Sequence, residues 1–232
     1  MPLNRHILPL GIIASLFLTL PIIGDDAVPS IDVAKALPFT ENSSWKLCHF
    51  GGDGAIAMKN GTLSLDFGDP LTGVRWEGDF PKDQYEISLE CRRVGGFDFF
   101  CGLTLPAADQ RFSLILGGWG GSLVGLSSID GMDASNNETM MTKDFKKDQW
   151  YKVRVQVAAK KIVVWLDNEE MINVDREGRM FDIRAEMEES TPVGIAAFQC
   201  ESEVKNVTVR SLTAATTKPK TTNIVPTQVI KE

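Results

Sequence analysis

Hydrophobic and polar residues alternate with a period of two along most of the chain between residues 39 and 212. The clearest case is residues 152–157, where three valines alternate with three polar residues. Residues 161–167 return after a short turn as a more continuous apolar run, and residues 171–175 follow a second turn. Successive side chains of a strand face opposite sides of a sheet, so this pattern indicates β-strands. No window shows a sustained helical period, and we predict an all-β protein.

Four further segments show the same alternation or a short apolar run, at residues 61–67, 84–92, 193–198 and 204–212. Glycine, asparagine and aspartate turns separate the strands at intervals of about ten residues, which is typical of an antiparallel sandwich. No unit repeats at a fixed period, so a propeller or solenoid is not expected.

The two ends of the chain depart from this pattern. Residues 1–24 carry Arg5, then an apolar stretch, and no acidic residue, as in a secretory signal peptide. The cleavage site is not a clean one, so both a cleaved signal and an uncleaved N-terminal anchor remain open. Either predicts an exported protein, whether periplasmic, secreted or at the cell surface. Residues 25–38 are interpreted as a linker, 39–212 as the sandwich and 213–232 as a disordered Thr-rich tail.

Composition narrows the class of protein. The formal net charge is −7 and the pI about 5.0, whereas a nucleic-acid-binding protein would show a basic stripe. We therefore expect no nucleic-acid partner, and no membrane contact beyond the N-terminal segment. Only two histidines occur, and Gly-x-Ser-x-Gly is absent, which argues against a serine hydrolase. His49 lies in a strand-like stretch and is interpreted as structural.

Export would permit disulfides among the four cysteines, Cys48, Cys91, Cys101 and Cys200. The alternation places the Cys91 and Cys101 thiols on the same face of a predicted hairpin, so this pair is the best candidate for a disulfide. The alternative, which the small number of cysteines favours, is that all four are free and buried.

Two carboxylates normally carry out glycoside hydrolysis, yet the Glu-x-Asp-x-x-Glu signature of laminarinase-like enzymes does not occur here. The polar stretch 127–139 offers four side-chain oxygen donors, namely Asp130, Asp133, Asn136 and Glu138. A hard divalent cation such as Ca²⁺ prefers such ligands. Three interpretations stay open for this stretch: a polar surface turn, a cation site or a sugar contact.

Sugar sites combine an aromatic platform with polar side chains that bind hydroxyl groups. Trp119 is set among four glycines, where no neighbouring side chain shields its ring. Asp98 lies between two phenylalanines, an unusual place for a charge unless it faces a groove or pairs with an arginine. Three other tryptophans lie in strand contexts and are predicted to fill the core, namely Trp45, Trp150 and Trp165.

Two pairs of segments resemble the strands of a known family. Residues 150–157 (WYKVRVQV) and 162–168 (IVVWLDN) resemble consecutive strands of a concanavalin A-like jelly roll. Residues 194–198 (GIAAF) and 204–209 (VKNVTV) resemble the final strand pair of one branch, the 3-keto-disaccharide hydrolase family. The likeness covers most of residues 44–212, and the middle segment resembles a planctomycete-type, bacterial subgroup.

This resemblance implies a concanavalin A-like jelly-roll β-sandwich of two antiparallel sheets, and cleavage of the glycosidic bond of a 3-keto-disaccharide or glycoside. A 3-keto group acidifies the neighbouring C–H, so that one base can open the bond by elimination. The family's Asn-Ser-Gly stretch is replaced by residues 99–103 (FFCGL). No catalytic set therefore transfers residue by residue.

From the residues themselves we predict a site around Trp119 on one groove face of the sandwich. The expected catalytic residues are Glu138 and Asp98. The expected sugar contacts are Trp119, Arg111, Asn137 and Asp130, with Asp133 behind them. The alternative function is a non-catalytic carbohydrate-binding or cell-surface module on the same fold, with a saccharide as partner in either case.

Overall fold

The computed structural model describes residues 34–212 as two antiparallel β-sheets packed face to face, which confirms the predicted sandwich. The signal or anchor predicted at residues 1–24 and the tail predicted at 213–232 lie outside the described residues. No helix within residues 34–212 is long and apolar enough to cross a membrane.

One sheet has eight strands: β1 (Lys35–Ala36), β3 (Ile56–Lys59), β4 (Thr62–Leu65), β6 (Tyr85–Gly96), β11 (Tyr151–Val157), β12 (Lys161–Leu166), β13 (Glu169–Asp175) and β15 (Cys200–Ser211). Their order is β13-β12-β11-β6-β15-β4-β3, with β1 paired to β15.

The other sheet has seven strands: β2 (Trp45–Leu47), β5 (Leu71–Trp76), β7 (Cys101–Ala107), β8 (Gln110–Gly117), β9 (Leu123–Ser127), β10 (Met141–Thr142) and β14 (Gly194–Phe198). Their order is β10-β9-β8-β7-β14-β5-β2. A helical turn at Gly118–Gly121 joins β8 to β9, and a 3-10 helix at Ala185–Ser190 precedes β14.

The three consecutive strands β11, β12 and β13 form an antiparallel meander, as the alternation predicts. Val153, Val155 and Val157 of β11 are buried in the core between the sheets. The turn from β12 to β13 places Asp167 and Asn168 at φ 49° and 70°. Two consecutive positive φ values match the twist of a tight hairpin, and asparagine and aspartate tolerate them well.

The predicted hairpin around residues 95–96 is wrong. β6 pairs with β11 and β15, whereas β7 pairs with β8 and β14. The chain therefore crosses from one sheet to the other, and Cys91 and Cys101 face each other across the core. Burial is the main reason why the pKa of Cys91 lies well above its usual value, and the neighbouring Cys101 thiol raises it further. All four cysteines are free and buried.

The sandwich also begins earlier than residue 39. β1 lies within the predicted linker and pairs with Val209 and Thr208 of β15, and Leu37 is fully buried in the core. The segment from Lys35 onward therefore belongs to the folded unit.

Two of the three tryptophans predicted for the core lie outside it. Trp45 is buried. Trp150 and Trp165 are half-buried, and each stacks against a cation: Arg154 lies 3.5 Å above the Trp165 ring and Lys205 3.9 Å above the Trp150 ring. Cation–π stacking with arginine and lysine accounts for tryptophan on this surface.

Candidate functional site

A pocket of about 180 Å³ lies on the outer face of the seven-stranded sheet. The sheet supplies its floor, because β8 sends Phe112, Leu114 and Leu116 into the core and turns Ser113 and Ile115 outward. The complete lining is Asp98, Phe99, Ser113, Ile115, Trp119, Ser127, Arg184, Glu186, Met187 and Phe198. Two of the predicted site residues, Asp98 and Trp119, are thus brought together.

The glycine loop (residues 117–121) presents Trp119 at the pocket. Gly117, Gly120 and Gly121 have φ values of 80°, 87° and 107°, a region that glycine enters without steric cost. Trp119 itself is 44% exposed. The loop therefore offers an indole ring that the core does not cover.

Arg93 of β6 holds the glycine loop in place. Its Nη2 donates to the carbonyl oxygens of Gly121 at 2.8 Å, Asp98 at 3.2 Å and Gly117 at 3.3 Å, and its guanidinium lies 5.2 Å from the Phe100 ring centroid. A side chain on the eight-stranded sheet thereby fixes both the aromatic and the acidic residue of the pocket. No sequence pattern singles out Arg93, which is one of two consecutive arginines on a strand.

The Asp98 side chain is oriented by backbone amides rather than by an arginine. Its Oδ1 accepts from the Phe99 amide at 2.8 Å, and its Oδ2 accepts a longer bond of 3.4 Å from Gly120. The carboxylate thus faces the pocket beside the loop that carries Trp119. Of the two environments predicted for Asp98, a groove or an ion pair with an arginine, the structure shows the groove.

The 3-10 helix adds a charged wall that sequence reasoning missed. Arg184 precedes this helix and Glu186 lies in its first turn. The Arg184 Nε donates to Glu186, and its Nη1 lies 3.0 Å from Asp133. Three of the described charged groups therefore meet at one rim, where Asp133 positions the guanidinium from outside the pocket lining.

Glu138 and Asp130 lie apart from the pocket lining and share one cation, Arg179. Arg179 donates to Glu138 and lies 2.6 Å from Asp130. The hydrogen bond from Arg179 lowers the pKa of Glu138. The Met180 amide, followed by Arg179, lowers the pKa of Asp130. Both carboxylates are therefore held in the ionised form.

Replacing Arg179 with methionine should raise the pKa of both Glu138 and Asp130, because the cation that favours their charged forms is removed. In the native protein both values are depressed, so this contribution to stability is present at neutral pH and is lost as pH falls through the folded values. A titration of the side-chain carboxyl resonances by NMR measures the two shifts. Unchanged pKa values of Glu138 and Asp130 in Arg179→Met would show that Arg179 does not hold both carboxylates in the ionised form.

Asn137 and Arg111 also lie outside the pocket lining. Asn137 is 7% exposed; its Nδ2 donates to the carbonyl oxygens of Leu126, Met132 and Asp133, and its Oδ1 accepts from Thr139. This side chain builds the polar turn. Arg111 pairs with Glu188 at 2.9 Å and approaches Asp182 at 3.7 Å.

The four oxygen donors considered for a cation do not converge. Glu138 and Asp130 face Arg179, while Asp133 accepts hydrogen bonds from Ser135 and from Asn136 and also contacts Arg184. Within residues 34–212, no group of three or more His, Cys, Asp or Glu side chains is arranged to hold a metal ion. In this structure the three carboxylates of the set are each paired with an arginine, either Arg179 or Arg184.

The architecture and the pocket define a jelly-roll sandwich whose open sheet face carries the candidate site, and similar solved structures share this fold. The chain resembles a protein of unknown function with a galectin-like fold from Bacillus subtilis: identity 10%, TM-score 0.55, covering 78% of this chain and 97% of that one. It also resembles the carbohydrate-binding module CBM66 from Bacillus subtilis: identity 12%, TM-score 0.51, covering 75% and 100%. A third similar structure is the Crh5 transglycosylase in complex with NAG: identity 8%, TM-score 0.53, covering 78% and 85%.

The chain belongs to the family of 3-keto-alpha-glucoside-1,2-lyase-like domains, whose model matches residues 51–210. No curated protein matches the chain in sequence. Family membership assigns the chain a carbohydrate-related function, whereas the structural likenesses, at such low identity, establish the fold alone.

Proposed function

We propose that this chain is an exported enzyme that cleaves the glycosidic bond of a 3-keto-glycoside in the pocket on the seven-stranded sheet. The observation that carries the proposal is the position of the Asp98 carboxylate beside the exposed ring of Trp119, in a pocket that Arg184 and Glu186 also line. Family membership supports the keto substrate. The volume of about 180 Å³ is below the usual range for drug-sized ligands, which favours one sugar ring over a longer oligosaccharide.

The ketone reduces the chemistry that the protein must supply. Asp98 takes the proton from the carbon between the ketone and the anomeric carbon. The electrons of that C–H bond form a double bond to the anomeric carbon as the bond to the leaving oxygen breaks, and solvent protonates the leaving oxygen. Addition of water to the double bond then completes net hydrolysis.

The other lining groups bind and stabilise the sugar. Trp119 stacks against the apolar face of the ring. Arg184 also lines the pocket, and its guanidinium donates a hydrogen bond to the ketone oxygen, where negative charge develops during proton removal. A single well-placed base suffices for elimination, so the separation of Glu138 from this pocket does not remove the required chemistry.

Trp119→Ala should weaken sugar binding by about three- to tenfold, which corresponds to the stacking energy of about 0.5–1.5 kcal/mol. The melting temperature should hardly change, because the ring is exposed and covers no core. Isothermal titration with methyl 3-keto-α-glucoside, in proteins that also carry Asp98→Asn so that cleavage is slow, and thermal unfolding measure the two effects. Trp165→Ala, on the opposite sheet, is the control and should bind normally; a Trp119→Ala protein that unfolds, or that binds as wild type, would contradict the assignment.

A non-catalytic sugar-binding module is the second candidate. It is favoured by the likeness to CBM66, which is covered over its full length. Incubating the purified protein with methyl 3-keto-α-glucoside, with and without a chelator, separates the two functions. Release of methanol supports the enzyme, and loss of that release on chelation would indicate a metal requirement; tight binding without turnover supports the module.

A further inference from the structure

The floor of the pocket carries two serine hydroxyls that differ in their hydrogen-bonding state. Ser113 of β8 and Ser127 of β9 lie directly opposite each other in the register of the two strands. Both line the pocket, and both residues are 1% exposed. Neither takes part in the chemistry proposed above.

Ser113 belongs to a chain of buried hydroxyls with a fixed direction. Ser190 Oγ donates its one proton to the carbonyl oxygen of Met187 at 2.6 Å. Thr104 Oγ1, 2.7 Å from Ser190 Oγ, must therefore donate to it. Ser113 Oγ lies 2.9 Å from Thr104 Oγ1 and donates in turn, because the Thr104 proton is already used. Ser113 thus presents only lone pairs to a ligand.

Ser127 has the opposite character. Its Oγ is buried and has no hydrogen-bond partner within residues 34–212. Its proton is therefore available to a ligand in the pocket. A buried hydroxyl without a partner costs free energy, and a ligand acceptor placed above it would recover that cost.

We infer that the two serines bind two different oxygens of the sugar: Ser113 accepts a hydrogen bond from a sugar hydroxyl, and Ser127 donates one to the ketone oxygen. The inference rests on the proposed function, since the ketone belongs to the proposed substrate. A ketone only accepts, so Ser113 cannot bind it. A sugar hydroxyl facing Ser127 forms one hydrogen bond with it, and one of the two hydroxyl protons then has no acceptor in this pair. A ketone oxygen carries no proton, so its hydrogen bond with Ser127 leaves no donor unpaired.

Titration of the full chain carrying Asp98→Asn, which slows cleavage, with methyl 3-keto-α-glucoside and methyl α-glucoside tests the assignment, and the serine variants are made in that background. Ser127→Ala should lower the affinity for the keto probe by about three- to tenfold and reduce the preference for it over the parent glycoside. Ser113→Ala should weaken both probes by a similar factor. Ser127→Ala should not lower the melting temperature, because it removes an unpartnered polar atom.

Ser202 supplies a matched control. It is also 1% exposed with an unpartnered Oγ, but it lies on β15 of the other sheet. Ser202→Ala should leave both affinities unchanged. If the Asp98→Asn protein prefers the keto probe and added Ser127→Ala keeps that preference, the inference is overturned while the proposed function stands. If neither wild type nor the Asp98→Asn protein binds a probe, the proposed function itself fails, and the roles of both serines fail with it.

Discussion

Asp98→Asn is expected to lower the rate of 3-keto-glycoside cleavage by a factor of about 10²–10⁴, the usual contribution of a positioned general base. The substitution preserves the shape of the side chain, and the amide oxygen can still accept from the Phe99 amide. Binding of the sugar should therefore change much less than turnover. Single-turnover rates and titration of the same preparation measure the two quantities.

The control for this variant is Asp109→Asn, which removes an exposed carboxylate from the turn between β7 and β8 of the same sheet. Its rate should equal that of wild type. Glu138→Gln should also retain turnover, because Glu138 lies outside the pocket lining and pairs with Arg179. Full activity in Asp98→Asn together with loss in Glu138→Gln would place the base in the polar turn instead.

Arg93→Met should destabilise the protein by about 2–3 kcal/mol, because it leaves three backbone carbonyls without a charged donor. The change should also release Trp119 and Asp98 from their common support. Denaturant unfolding measures the free energy, and sugar affinity reports on the loop.

Arg92, the preceding residue on β6, is the matched comparison. Its ion pair with Glu203, at 2.6 Å, is partly exposed to solvent, and such pairs contribute about 0–1 kcal/mol. Arg92→Met should therefore lose little stability and keep its affinity for sugar. Equal losses in the two variants would show that Arg93 has no special role in supporting the loop.

Local alternation predicted the fold well where neighbouring strands in sequence are also neighbours in the sheet, as in β11-β12-β13. It failed between β6 and β7, because a period of two reports which face is buried and not which sheet receives the next strand. The position of Trp165 does follow from the period. Trp165 lies between Val164 and Leu166, which are buried in the core, so its ring is on the outer face, where Arg154 of the neighbouring strand covers it.

The candidate site was predictable in part. Asp98 and Trp119 stand out locally, one as a charge among aromatic residues and the other as a ring among glycines. Arg184 and Glu186 could not be found, because their segment shows no period and joins the pocket only through long-range packing. The carboxylates of residues 127–139 predict a site when the sequence is considered locally. Their partners Arg179 and Arg184 are distant in sequence, so local patterns do not reveal that these carboxylates are paired.

Sugar bound beside Trp119 on the seven-stranded sheet should be visible in the indole N–H resonances of the five tryptophans. Spectra of the Asp98→Asn protein, which cleaves slowly, are recorded during titration with methyl 3-keto-α-glucoside, and Trp119→Phe assigns its signal. The Trp119 resonance should move with saturation while those of Trp150 and Trp165 stay in place. Movement of Trp150 or Trp165 with a stationary Trp119 would place the site on the opposite sheet.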